Sequence, residues 1–105
     1  MLPMDTYFVF VLASRHHVHL TVDVCADLEP GVKAARDRVN RRLGKRWVYQ
    51  KLVYVEQVEG VEEAILRERQ LQKMQRRKLV QLVDAFNPGW DSISLSAVRA
   101  LVHPY

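Results

Sequence analysis

The stretch HHVHLTVDVCADLEPGV, residues 16–32, gathers side chains that could do chemistry. Val18, Leu20, Val22 and Val24 alternate with His17, His19, Thr21 and Asp23. In a strand, this period of two puts the apolar residues on one face and the polar residues on the other. Two imidazoles and a carboxylate on one face are a usable donor set for a divalent metal. Histidines two apart also arise on ordinary solvated strand faces, and no second spacing signature completes a metal site. A plain polar strand face is therefore the expectation, with His16 of unassigned role beside it. Cys25, the only cysteine, has no histidine placed by the sequence to activate it, and reads as a structural thiol. Trp47 and Trp90 could stack on bases, but packing at the ends of elements is their expected use.

The elements that must position these residues are legible from periodicity. TYFVFVLAS, rich in aromatic and β-branched residues, reads as a first strand, and RHHV turns the chain tightly into the second. Asp27 is a good N-cap for the following helix, Glu29 suits its first turn, and Pro30 is tolerated there. Leu28, Val32, Ala35, Val39 and Leu43 make its buried stripe, and Gly44 stops it. RWVYQKLVYVE is a third strand. Val61, Ala64, Ile65, Leu71 and Met74 mark a second helix, and Leu79, Leu82, Val83 and Phe86 a third, which ends at NPGW because the residue before proline is driven from helical geometry. Ser94 or Ser96 would cap a short final helix carrying Leu95, Val98, Leu101 and Val102.

The spans expected are strands near 6–13, 18–24 and 47–56 and helices near 28–43, 61–75 and 77–86. This is an α+β fold, β-β-α-β-α-α, in one domain over 1–105: a small, three-stranded, mostly antiparallel sheet flanked by helices, plus the short C-terminal helix.

With 105 residues, 49% hydrophobic and 27% charged, the chain has the composition of a globular domain rather than a disordered one. A single cysteine excludes an internal disulfide and makes a reducing, cytoplasmic setting the expectation. YFVFVLA is too short to span a bilayer and follows Asp5 rather than a basic cluster, so neither a membrane span nor a signal peptide is expected. The net charge is +4, with much of the basic charge in KAARDRVNRRLGKR and RERQLQKMQRRK. Such blocks attract polyanions, nucleic acid above all, although they are also what the wet faces of two helices look like. Lys33, Arg38, Arg41, Arg42, Lys45, Arg76 and Arg77 are the candidate contacts to DNA.

The segment KLVYVEQVEGVEEAILRERQLQKMQRRKLVQLVDAFNPGW resembles the second half of the small bacterial single-domain proteins of the GIY-YIG endonuclease superfamily. They share an LVYYE strand, an EEAIxREKQLK helix, a basic helix ending in LI, and NPxW. In the first half, YFVFVLAS resembles their YVYILAS and VDVCADLEPGV their IGVTSDLERRV, so the likeness covers about residues 6 to 92. The resemblance implies the fold already read from periodicity. It also implies a nuclease face carrying a tyrosine in each of two strand motifs, a helical arginine for the phosphate, a glutamate for one divalent metal, and an asparagine.

Carried over position by position, most of that chemistry is missing. Phe10 stands for the first tyrosine and keeps the ring without the hydroxyl that would move a proton. Thr21 and Asp23 stand in the second motif, for its tyrosine and its glycine. The arginine falls at Pro30-Gly31, where nothing can stabilise charge on a phosphate. Only Glu68 and Asn87 still match. The resemblance thus implies a catalytically degenerate protein, with no cofactor expected, acting in nucleic-acid binding or protein interaction. If a metal binds at all, Glu68 is its residue, with His17, His19 and Asp23 as companions. The alternatives are an active magnesium-dependent endonuclease with a rearranged site around Glu68, using Asp23, His19 or Thr21, and a structural protein that dimerises through its C-terminal helix.

Overall fold

The computed structural model describes residues 5–44 and 50–95. Within them the chain runs β1 (Thr6–Ser14), a tight turn (Arg15–His17), β2 (Leu20–Cys25), α1 (Leu28–Leu43), β3 (Gln50–Glu59), α2 (Val61–Lys73) and α3 (Arg76–Phe86). Every residue of β1 from Phe8 onward is buried. A strand apolar on both faces has to be covered on both, and β1 accordingly takes the centre of a three-stranded sheet in the order β2-β1-β3. Both pairings are antiparallel, so the α+β expectation holds and the sheet is wholly antiparallel.

Alternate residues of β1 feed two cores. Phe8, Phe10 and Leu12, with Leu52 of β3, pack against Leu28, Val32 and Ala35 of α1. Val9, Val11 and Ala13 pack on the other side with Leu71 of α2, Leu79 and Val83 of α3, and Trp90. Val53 and Tyr54, although adjacent, share this second core. A bulge explains it: Val11 opposes Tyr54 while Leu12 opposes Leu52, leaving Val53 as the extra residue.

Of the stripe expected of α1, Leu28, Val32, Ala35 and Val39 are buried, while Leu43 at its end is only half-buried. Gly44 closes the helix at φ 81°, its N–H reaching the Asn40 carbonyl at 2.9 Å. Asp27 occupies the N-cap position, but its carboxylate makes no capping bond, and its main-chain carbonyl accepts the Gly31 N–H at 3.0 Å. Gly31 itself is demanded by close approach. A Cβ there would lie 2.4 Å from Cys25 Cβ and 2.6 Å from Cys25 Sγ, so glycine alone lets α1 sit this low over β2.

The second strand starts later than its alternation suggests. His16 and His17 take positive φ values of 61° and 57°. The Ser14 N–H donates to the His19 carbonyl at 2.9 Å and the His19 N–H to Ser14 Oγ at 2.8 Å, closing a tight loop. His17 and His19 therefore lie off β2, and the polar strand face is reduced to Thr21 and Asp23. Between α2 and α3, Met74 and Gln75 are extended, with ψ of 142° and 145°, so α2 ends two residues earlier than expected, while α3 begins at Arg76, one residue earlier than expected. Lys45, Trp47 and Ser96 lie outside the described residues. Leu95 is helical, and the remainder of the expected C-terminal helix also lies outside them. No helix among the described residues is long and apolar enough to cross a membrane.

Candidate functional site

β2 is an edge strand, flanked by α1 on one side of the sheet and α2 on the other. Between them runs an open groove lined by Thr21 and Asp23 of β2, Arg38, Arg41 and Arg42 of α1, and Gln72 of α2. It continues past Arg42 and Gln72 into a second hollow that ends at Arg76, the first residue of α3. The spacing of residues 38, 41 and 42 puts three arginines on one side of a helix, next to its buried stripe. Arg41 and Arg42 are exposed and make no ion pair among the described residues.

The open edge of β2 and the loop before it are dressed by side chains from the opposite layer. Gln72 Nε2 donates to the Val22 carbonyl at 3.4 Å. Arg76 donates to the Val18 carbonyl at 3.0 Å and to that of His17. These bonds satisfy backbone acceptors that a free edge would leave to solvent or to another strand. Of the seven basic residues singled out from the sequence, Arg38, Arg41, Arg42 and Arg76 converge on the groove, while Lys33 and Arg77 are exposed elsewhere.

Of the positions expected to be catalytic, Thr21 and Asp23 line this groove. Across the β1–β2 ladder Phe10 opposes Asp23 and Leu12 opposes Thr21, which places Thr21 and Asp23 on the face that α1 covers. Phe10 is 0% exposed. Its ring is core, sealed from any solvent-borne substrate. Arg38 pairs with Asp23 Oδ2, and the Val24 N–H donates to Asp23 Oδ1 at 2.8 Å. Glu68 of α2 comes within hydrogen-bonding reach of Asp23, and its carboxyl is raised above the ordinary range by burial first and by the Asp23 charge second. Gly31 has neither a side chain nor room for one.

Asn87 is spent elsewhere. Its Nδ2 donates to the Val53 carbonyl at 3.2 Å and to that of Asp91 at 2.8 Å, tying the turn after α3 to β3, the opposite edge of the sheet from Asp23.

The remaining candidates resolve into structural roles. His17 stacks on Trp90 with ring centroids 4.7 Å apart, and its pKa is lowered by burial, then by Lys51, His16 and Arg76. Trp90 is buried and donates to Asp84, which is packing rather than base stacking. Cys25 is pushed up to about 11 by burial and by Asp23 and Asp27, so at neutral pH it is a protonated thiol and a poor nucleophile. A network that sequence reading missed joins Tyr54, Glu56 and Arg67. Arg67 Nε donates to Glu56 Oε2 at 2.6 Å and the guanidinium also reaches the Tyr54 hydroxyl, fastening α2 to β3. Its members come from two separate elements, with no spacing rule to link them.

Two carboxylates, Asp23 and Glu68, meet at the groove, the first already engaged by a guanidinium; a magnesium ion held by so few protein ligands would complete its shell with water or substrate oxygens. His17, His19 and Asp23 do not converge, and the described residues contain no cluster of three or more metal-ligating side chains. Compared with known proteins, the chain matches no family model, no curated protein and no solved structure.

Proposed function

We propose that this protein is a catalytically silent relative of the GIY-YIG endonucleases that holds nucleic-acid phosphates in the basic groove along β2. The observation that carries the reading is the convergence of Arg38, Arg41 and Arg42 from α1 with Arg76 from α3 on one open groove. Arginines that neutralise phosphates release condensed counterions, which supplies affinity without sequence preference. DNA is the expected partner. The silence follows from a core phenylalanine at Phe10, a threonine at Thr21, and Gly31 packed against Cys25, which together remove proton transfer, positioning and charge stabilisation at phosphate.

The test is a salt titration of binding to labelled duplex DNA by the wild type and an Arg41→Gln/Arg42→Gln variant. Binding should weaken steeply as salt rises, and the variant should lose about 0.9 from the log–log slope for each phosphate contact removed. Indifference to salt, or no binding at low salt, overturns the nucleic-acid part. Magnesium- or manganese-dependent cleavage that disappears in Glu68→Ala overturns the silence and favours the active-enzyme alternative.

A further inference from the structure

One of the groove's arginines, Arg38, is already holding an anion, and that anion belongs to the protein. Deepening the reading of the groove as a phosphate-binding surface, and resting on it, we propose that Asp23 is a built-in competitor whose carboxylate occupies Arg38 in place of a phosphate. Carboxylate and phosphate oxygens are both anionic acceptors for a guanidinium N–H, so each can replace the other.

The two partners are unequally mobile. Asp23 is fixed on β2, with Oδ1 taken by the Val24 N–H at 2.8 Å and a side chain only 23% exposed. Arg38 sits on the outside of α1 with its side chain 55% exposed. Arg38 is therefore the member free to turn toward a ligand lying in the groove beside Arg41 and Arg42. An ion pair this exposed is weak, so a polyanion that also engages its neighbours can displace it. Displacement leaves Asp23 facing Glu68 with its charge uncompensated, which adds to the cost of opening the pair. The wild-type groove then binds less tightly than its arginines alone would allow.

The experiment measures fluorescence anisotropy of a labelled duplex of about 20 base pairs at about 50 mM salt, where phosphate contacts weigh most. The proteins are the wild type, Asp23→Asn, Asp23→Thr, Arg38→Gln, the Asp23→Asn/Arg38→Gln double variant, and Asp37→Asn. Asparagine keeps the Oδ1 acceptor for the Val24 N–H, and threonine suits an edge strand. Far-UV circular dichroism establishes that each variant is folded. Asp37 is exposed on α1 and lies outside the groove lining, so its variant reports the general effect of losing one negative charge.

Both Asp23 variants should bind about fivefold tighter, the ratio that corresponds to releasing an exposed ion pair. That gain should vanish in the double variant, because it exists only through Arg38. A gain that persists without Arg38, or one no larger than that of Asp37→Asn, overturns the competitor role. If Arg41→Gln/Arg42→Gln still weakens binding in that case, the groove reading survives. No binding by either the wild type or Asp23→Asn overturns both.

Discussion

The contact between Gly31 and Cys25 gives the sharpest test of the packing around the groove. Substituting Gly31→Ala places a Cβ 2.4 Å from Cys25 Cβ and 2.6 Å from Cys25 Sγ. Ordinary carbon–carbon contacts are about 3.5–4.0 Å, so α1 must lift from β2 by roughly an ångström. The nearer of the two atoms is a Cβ, which no side-chain rotation can move aside. Overpacking of this kind costs about 1–3 kcal/mol, and alanine recovers up to about 1 kcal/mol through helix propensity. The net loss should be about 1 kcal/mol, or roughly a 5 °C fall in Tm for a domain of this size. The assay is thermal and urea unfolding of Gly31→Ala, Cys25→Ala, Cys25→Gly and the two double variants. Cys25→Ala keeps the offending Cβ and should not rescue Gly31→Ala, whereas Cys25→Gly removes both clashing atoms and should. A coupling of about 1–2 kcal/mol between Gly31→Ala and Cys25→Gly is the expected signature. An unchanged or raised Tm for Gly31→Ala would refute the close approach, and with it the argument that no arginine can be restored at this position.

Three further outcomes are expected. Cys25, raised to about 11, should react with iodoacetamide at pH 8 about two orders of magnitude more slowly than an ordinary thiol, its rate rising with pH until the raised value is passed; rapid labelling at neutral pH would contradict its burial beside Asp23 and Asp27. Because the Glu68 carboxyl is raised in the fold, its contribution to stability is present below the ordinary glutamate range and is lost as pH rises through the raised value. Glu68→Gln should therefore increase Tm at pH 7 and not at pH 4, and a decrease at pH 7 would count against the contact with Asp23. Phe10→Tyr buries a hydroxyl in a position 0% exposed and should cost about 1–3 kcal/mol in urea unfolding, without any DNA cleavage in magnesium. Cleavage by this single variant would show that Phe10 is reachable by substrate.

What was legible in the sequence is what local periodicity carries. β1 is apolar at every position from Phe8 to Ala13, which demands cover on both faces and hence the central place. The stripe from Leu28 to Val39 and the stop at Gly44 were readable because a helix repeats its own neighbours every turn. The three helices and three strands followed in order for the same reason. The start of β2 was not readable, because alternation runs unbroken through His17 and His19 while two positive φ values and the Ser14–His19 bonds turn those residues out of the strand. The groove lay further out of reach. Arg38, Asp23 and Glu68 come from three elements, and Arg76 meets the arginines of α1 only because α1 and α3 cover opposite faces of one narrow sheet. Gly31 read as a lost catalytic side chain; the packing of α1 on Cys25 makes it a position where no side chain fits. Spacing along the chain fixes which face a residue takes, but distances between elements depend on how low each helix sits over the sheet, and that is set by side-chain volumes meeting from distant parts of the chain.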